Sequence, residues 1–160
     1  MKSNNIRTLA TNTLRMKLFM LRHLPLGFFV GLKVVKLDHN QAQITVPYKY
    51  LNKNPFQSIY FAVLSMAAEL STGIIAIASV YDASVPVSML VYDMNAQFTK
   101  KATGRITFTC VEGKAIAEAV TSSVSENAGK TVTVKSIGQD ETGTQVAEFN
   151  FTWTFKPKSI

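Results

Sequence analysis

The apolar stretch from Ile59 to Val80, IYFAVLSMAAELSTGIIAIASV, constrains the fold more than any other part of this chain. It is hydrophobic on nearly every side of a helix and carries one ionisable group, Glu69, near its middle. A helix that is apolar all round has to be buried, either in a membrane or in the core of a larger domain. A carboxylate inside such a helix is costly unless it is paired, hydrogen-bonded or used chemically.

A membrane span is the weaker of these two interpretations. The length would suffice to cross a bilayer, but an acid at the midplane is expensive and rare. Small residues also lower the hydropathy of this segment, namely Ser65, Ser71, Thr72 and Gly73. No other segment of the chain could span a bilayer. We therefore predict a soluble domain with this helix at its centre and no transmembrane segment.

Composition narrows the choice of compartment and partner. The 160 residues form one domain, and the single cysteine, Cys110, excludes an intrachain disulfide. That cysteine usage fits a reducing compartment, so we predict a cytoplasmic protein. The formal charge is +7, but apart from Lys100-Lys101 the basic residues are dispersed, without an aromatic ladder. Neither a nucleic-acid partner nor a metal site is expected.

The N-terminal segment predicts an amphipathic helix. Residues 1–37 contain no acid, and apolar residues recur at roughly helical spacing at Ile6, Leu9, Leu14, Leu18 and Leu21. Pro25 and Gly27 would stop this helix. We predict a helical extension over residues 1–26 before a main domain over residues 27–160. A mitochondrial-type presequence and attachment to a membrane surface are the alternatives.

The remaining pattern predicts an α+β domain. A short helix is expected over 113–127, and six strands are expected at 31–38, 42–48, 87–98, 103–111, 131–138 and 144–156. In strand 87–98, Leu90, Tyr92 and Met94 are predicted to share one face with Ala96 and Phe98. A curved antiparallel sheet wrapped around the long apolar helix would bury all of its sides.

Three features near that helix suggest acyl chemistry. Glu69 lies within it, Asn54 lies in the preceding loop, and the helix N-terminus near Ser58 to Ala62 presents unpaired N–H groups. Such N–H groups can hold a developing oxyanion. The carboxylate can activate water or attack directly, and burial is expected to raise its pKa. A purely structural role for Glu69, or a loop role for Asn54, is the alternative.

These residues resemble the hot-dog-fold thioesterases, particularly the PaaI-like and YiiD-type members. In PaaI-like proteins an Asn is followed six residues later by His-Gly-Gly, and an acid follows that His after nine residues. This chain has Asn54, then Tyr60-Phe61-Ala62, then Glu69, at the same spacing. The resemblance covers roughly residues 27–157, including the strand order. It implies a hot-dog fold with an extra N-terminal helix.

The resemblance also implies a function, namely hydrolysis of an acyl thioester on coenzyme A or acyl carrier protein. Glu69 would be the general base or nucleophile, and Asn54 would orient water or the carbonyl. The N–H groups of Phe61 and Ala62 would form the oxyanion hole, and Tyr60 would stand where the family has an imidazole. Coenzyme A would enter only as part of the substrate, so no cofactor is expected.

The resemblance further implies a homodimer or a dimer of dimers, with each site built from two chains through strand 87–98. The substrate-binding candidates are Ser58, Met66, Asp93, Asn95, Lys100, Lys101 and Arg105. The three cationic side chains would contact coenzyme A phosphates, with a solvated basic edge as the alternative.

Two further functions are weighed against hydrolysis, the first because Tyr-Phe-Ala stands in place of His-Gly-Gly. Side chains at the two glycine positions restrict the approach of a ligand to the backbone, so a non-catalytic acyl-binding dimer is one alternative. A hot-dog dehydratase is the other, because the loop Asn54-Pro55-Phe56-Gln57 is similar to the dehydratase loop. Dehydratases need an imidazole there, and no histidine occurs after His39.

Overall fold

The N-terminal region forms three short helices in the computed structural model, which describes residues 3–10 and 12–158. They are α1 (Ser3–Ala10), α2 (Thr13–His23) and α3 (Pro25–Val30). The prediction of one continuous helix is therefore wrong. Asn12 caps α2, because its side-chain oxygen accepts a hydrogen bond from the Arg15 N–H at 3.0 Å. Pro25 begins α3 instead of ending a helix, because its fixed φ suits a first helical position.

The buried face of α2 also differs from the prediction. Met16 and Met20 are its buried residues. The leucines of the apolar pattern point outward, with exposed fractions of 68% for Leu14, 59% for Leu18 and 41% for Leu21. The helical spacing was thus real, but it marks the outer face of α2.

Six antiparallel strands form one sheet, as predicted. They are β1 (Lys33–Leu37), β2 (Ala42–Val46), β3 (Val87–Phe98), β4 (Ile106–Cys110), β5 (Lys130–Gln139) and β6 (Gln145–Pro157). Their order across the sheet is β1-β2-β4-β5-β6-β3. The strands β5 and β6 are joined by the predicted turn, in which Gly143 takes the left-handed conformation (φ 82°) that a residue without Cβ adopts freely.

Two further helices cover this sheet: α4 (Phe61–Asp82) and α5 (Gly113–Ser125). The long helix α4 packs against strands β2 to β6, and Ala67, Ala68 and Ala76 are fully buried. By length and composition α4 could cross a membrane, but most of its length is buried inside the domain. Its burial identifies it as a core helix. One stripe that includes Ala62, Met66 and Glu69 is only partly covered, so the sheet does not enclose every side.

The core is filled from the inner face of the sheet. The predicted inward series of β6 is confirmed, since Ala147, Phe149, Phe151, Trp153 and Phe155 are all buried. Cys110 is buried with Ile106 and Phe108 on β4, as expected. Burial raises the pKa of its thiol to about 11, which fits a packing role rather than a nucleophile.

Strand β3 lies at an edge of the sheet and contains a β-bulge. The register with β6 shifts between Val91 and Asp93. A bulge inserts one residue and therefore reverses the alternation of faces beyond it. Met94 pairs with buried Phe151, whereas Leu90 pairs with outward-facing Thr154. The prediction that Leu90 and Met94 share one face is therefore wrong.

Candidate functional site

A groove of about 620 Å³ lies where α4 begins. Its walls come from the loop before α4, the first turns of that helix, and the segment that follows β3. Its lining includes Asn54, Ser58, Tyr60, Phe61, Leu64, Phe98, Lys100 and Lys101. The fold thus brings together six of the predicted site residues at one place: Asn54, Ser58, Tyr60, Phe61, Lys100 and Lys101.

The side chain of Asn54 is held in a fixed orientation by its own loop. Its Oδ1 accepts hydrogen bonds from the Phe56 N–H at 3.0 Å, the Ser58 N–H at 3.3 Å and the Ser58 hydroxyl at 3.2 Å. The Nδ2 group makes no hydrogen bond within the described residues and belongs to a side chain that lines the groove. Asn54 is therefore both an organiser of the loop and an available donor for a substrate carbonyl.

The first turn of α4 supplies two more donors. Tyr60 occupies the N-cap without a side-chain capping bond, and Val63 and Leu64 are the first residues whose N–H groups bond to its carbonyl. Within the part of the chain that the structure describes, the N–H groups of Phe61 and Ala62 make no backbone hydrogen bond. They carry the positive end of the helix dipole, which favours an oxyanion.

Aromatic rings form the apolar wall of the groove. The ring of Phe61 lies edge-on to Tyr60, with centroids 4.9 Å apart, and to Phe98 at 6.3 Å. The Phe98 ring in turn contacts the core through Phe149. Phe61 itself is exposed, and its ring belongs to the residue that supplies one of the two N–H donors. The wall suits an acyl group.

Asn52, which the sequence did not single out, fixes the position of this helix start. It is fully buried, and its Nδ2 donates to the carbonyls of Val30 at 2.8 Å and Pro47 at 2.7 Å. Its own carbonyl accepts the Tyr60 N–H at 2.7 Å. The spacing to Tyr60 and Glu69 singled out Asn54, and no sequence signal singled out Asn52 in the same polar loop.

Asn52→Ala is expected to lower the free energy of unfolding by about 2–4 kcal/mol, because it leaves one buried and one partly buried carbonyl without their donor. Chemical denaturation monitored through the buried Trp153 measures this change. Asn40→Ala, a substitution of an exposed asparagine, is the control and should change stability by less than about 0.5 kcal/mol. A similar small change for Asn52→Ala would contradict its anchoring role.

The predicted phosphate-contacting cations differ in their surroundings. Lys100 forms an ion pair with Asp140 at 2.8 Å, and this hydrogen bond holds the pKa of Asp140 below its usual range. Lys101 makes one long contact, 3.5 Å, with the Phe56 carbonyl at the rim of the groove. Arg105 is exposed and does not line the groove. Lys101 is therefore the cation best placed for a ligand in the groove.

Glu69, the second residue of the predicted pair Asn54 and Glu69, lies away from the groove of its own chain. It follows Phe61 by eight residues, which corresponds to about 12 Å along the axis of α4. It is largely buried, and that burial raises the pKa of its carboxyl. No hydrogen bond or ion pair reaches this carboxylate from the residues that the structure describes. A buried acid without a partner is destabilising, which is typical of a functional group.

Gly73 and Trp153 shape the space around this carboxylate. A Cβ placed on Gly73 would lie 2.9 Å from Glu69 Oε1 and 3.2 Å from Trp153 Cζ2. The Trp153 indole is fixed by a 3.0 Å hydrogen bond from its Nε1 to the Thr72 hydroxyl. Gly73 therefore leaves room for the carboxylate beside the indole. Its place four residues after Glu69 was the only sequence signal for this role.

Three other predicted residues lie apart from the groove. Met66 is on the partly covered stripe of α4, one turn before Glu69. Asp93 and Asn95 pair with Thr152 and Asn150 and so lie on the outer face of the sheet, away from α4. The described residues of one chain do not bring these two side chains near Asn54 or Glu69.

A second cavity, of about 540 Å³, lies at the other end of α4. Arg7, Asp82 and His39 contribute to its lining, and Arg7 and Asp82 form an ion pair at 3.1 Å. None of the predicted site residues lines it. No group of three potential metal ligands occurs among the described residues.

Comparison with solved structures shows that the chain has the hot-dog fold. A Pseudomonas aeruginosa protein of unknown function, described as a probable thioesterase, matches with a TM-score of 0.76 and 18% identity, covering 99% of this chain and 97% of that one. A Chlorobaculum tepidum protein with unknown function matches with a TM-score of 0.75 and 17% identity, covering 91% and 94%. A thioesterase from Haemophilus influenzae matches with a TM-score of 0.59 and 12% identity, covering 98% and 92%.

The chain belongs to the family described as domain of unknown function DUF4442, whose sequence model matches residues 13–155. No curated protein matches the chain. The predicted hot-dog fold is therefore confirmed, and the resemblance to hot-dog thioesterases holds at the level of the fold. The similarity to these structures leaves the roles of Asn54, Glu69 and the helix N-terminus as hypotheses.

Proposed function

We propose that this protein hydrolyses acyl thioesters carried on coenzyme A or acyl carrier protein. The observation that carries the proposal is that one helix, α4, holds both a largely buried acid without a hydrogen-bond partner among the described residues and, at its start, a groove with two N–H groups that make no backbone hydrogen bond there. The donors of the groove fit a thioester carbonyl, its aromatic wall fits the acyl group, and Lys101 stands at its rim for the carrier's phosphates.

The reaction follows from ordinary acid–base chemistry. Glu69 accepts a proton from water, and the resulting hydroxide attacks the thioester carbonyl carbon. The oxyanion is held by the N–H groups of Phe61 and Ala62, while Asn54 Nδ2 orients the carbonyl or the water. Collapse of the tetrahedral intermediate breaks the C–S bond, and Glu69 returns the proton to the leaving thiolate. Direct attack by the carboxylate is the alternative course. No cofactor takes part.

The site needs two chains. Because Glu69 lies about 12 Å along α4 from the helix start, one chain cannot bring it to its own oxyanion donors. The open edge of β3 offers a row of unpaired backbone groups for a second copy, and Trp153, which contacts the Glu69 region, lies on the neighbouring strand β6. A dimer through β3 would place the groove of one chain beside Glu69 of the other. A dimer of dimers is compatible with the same pairing.

Thiol release from a panel of short-, medium- and long-chain and aromatic acyl-CoAs tests the proposed activity. We expect turnover of at least one class. Thermal shift with the same compounds separates hydrolysis from binding. Stabilisation by acyl-CoA without any thiol release would contradict the enzyme and favour the non-catalytic acyl-binding dimer. That alternative rests on the Phe61 ring, which stands beside the oxyanion donors.

Phe61→Gly is expected to raise kcat/KM for acyl-CoA by at least about twofold, because removing the ring opens the approach to the N–H donors. Steady-state kinetics on the best substrate of the panel measures it. Phe61→Ala, which removes the ring but keeps a Cβ, should give an intermediate gain. A loss of activity in both variants would show that the ring binds the acyl group rather than obstructing the site.

A dehydratase is disfavoured by the placement of the two histidines. His23 lies on α2, and His39 lines the second cavity at the far end of α4. Neither can supply the imidazole that dehydration needs beside Asn54. We also propose a cytoplasmic location, on the strength of a single buried cysteine.

A further inference from the structure

The outer face of α2 is an exposed row of leucines. Leu14, Leu18 and Leu21 follow one another at helical spacing, directly opposite buried Met16 and Met20. This leucine ridge (Leu14, Leu18 and Leu21) is about 10 Å long at 1.5 Å per residue. A helix that buries one apolar face in its domain has no structural need for a second one, so the ridge calls for an external partner.

Basic side chains border the ridge on both sides. At 100° per residue, Lys17 lies on one flank of the ridge, and Arg15 and Arg22 lie on the other. All three are exposed. The short α3, which packs against α2, adds two more exposed apolar side chains, Leu26 and Phe29.

The whole net charge of the protein lies in this part of the chain. All ten acidic residues occur at or after Asp38, where they are matched by ten lysines and arginines. The other seven basic residues, which equal the net charge of +7, precede Asp38. Three of those seven, Arg15, Lys17 and Arg22, lie on α2 and flank the leucine ridge.

We propose that α2 docks this protein on an anionic lipid surface, with the leucine ridge in the acyl boundary and the flanking cations at the headgroups. Basic residues beside an exposed row of leucines are typical of helices that lie in a membrane interface. A lipid surface fits the ridge better than a protein partner because exposed cations flank it on both sides, where anionic headgroups would lie. Fluid acyl chains need no pocket for side chains to enter.

The position of the ridge is compatible with the proposed dimer but does not depend on it. α2 packs chiefly on α1, α3 and β1, and β1 is at the opposite end of the strand order from β3. Pairing through β3 leaves α2 uncovered. A dimer would carry two leucine ridges.

Vesicle co-sedimentation tests the proposal with the full chain. Vesicles of phosphatidylcholine containing about one third phosphatidylglycerol should bind the protein, and pure phosphatidylcholine should bind it much less. Leu14→Ser combined with Leu18→Ser should weaken binding by at least about tenfold. Val111→Ser, at a valine that is 67% exposed and directly follows β4, is the matched control and should bind like the wild type. Equal binding of the ridge variant and the wild type would overturn the proposal.

A second variant tests docking through the appearance of a signal and not through a loss of vesicle binding. Leu18→Trp places an indole on the ridge, and its emission should shift to the blue only with anionic vesicles, above the constant signal of buried Trp153. No shift would overturn lipid docking. Light scattering tests whether the ridge binds a second copy of the chain instead. In that case the variant with Leu14→Ser and Leu18→Ser would have a lower mass than the wild type, and lipid docking would be overturned.

Discussion

Glu69→Gln is expected to reduce thiol release from acyl-CoA by roughly 10²–10⁴-fold, the range for loss of a general acid–base group. Glutamine keeps the size and shape of the side chain in the space beside Gly73 and Trp153, but it cannot accept a proton. The measurement is the initial rate of thiol release on the best substrate of the acyl-CoA panel. Size-exclusion chromatography should show an unchanged oligomer.

The stability of the same variant provides an independent check. Burial raises the pKa of Glu69 in the folded state above its ordinary value of 4.5. The stability associated with the protonated acid is therefore fully present below pH 4.5 and is lost as the pH rises through the folded pKa. Glu69→Gln should consequently be more stable than the wild type at pH 8 and no more stable than it at pH 4.

The pH dependence of the rate follows from the same group. Activity should rise with pH through an apparent pKa above 4.5, because only the ionised carboxylate accepts a proton or attacks. Glu118→Gln, at an exposed acid on α5, is the control and should leave both the rate and the profile unchanged. Wild-type activity in Glu69→Gln would remove this acid from the mechanism.

Leu90→Lys combined with Tyr92→Lys is expected to convert the protein to monomers and to lower its activity by at least roughly tenfold. Both side chains are exposed on the edge strand β3, and a two-fold axis through that edge would bring the added charges together. Multi-angle light scattering reports the mass, and thiol release reports the activity. Val111→Lys, at an exposed position away from β3, should change neither.

Mixing two inactive chains distinguishes a shared site from a merely stabilising interface. If Glu69 of one chain serves the groove of the other, Glu69→Gln and Asn54→Ala variants exchanged into mixed dimers regain one intact site per heterodimer. Random exchange should then restore about one quarter of the wild-type activity. An active monomer of the Leu90→Lys and Tyr92→Lys variant, or no regain on mixing, would contradict the two-chain site.

The parts of the fold that followed from the sequence are those governed by local burial patterns. The apolar helix, the alternating β6 and the turn before it all came from side-chain period and turn chemistry. The bulge in β3 did not, because an inserted residue leaves no mark in a strand whose two faces are both partly exposed. The break at Asn12 was missed for a related reason. The apolar spacing continues through Asn12, but the apolar residues before it face the core, whereas Leu14, Leu18 and Leu21 after it face outward.

The sequence pointed to several residues that the fold gathers in one groove, but it did not give their geometry. The spacing between Asn54 and Glu69 pointed to both residues, and the fold places only the first in the groove. Glu69 is separated from the groove by its distance along α4. A sequence spacing alone does not show whether a second chain brings the two residues together. Asn52 and Gly73 escaped notice because one acts through buried hydrogen bonds and the other through the absence of a side chain.

The bulge of β3 has a consequence for newly synthesised chains. An edge of twelve residues with exposed apolar side chains is a template for indiscriminate strand addition, and thus for aggregation, until a partner arrives. The interruption between Val91 and Asp93 divides this template into two shorter runs. A foreign strand that is straight can match only one run at a time. In the proposed dimer a second copy would bring the same interruption and could match both runs, so the irregularity would favour that assembly over aggregation.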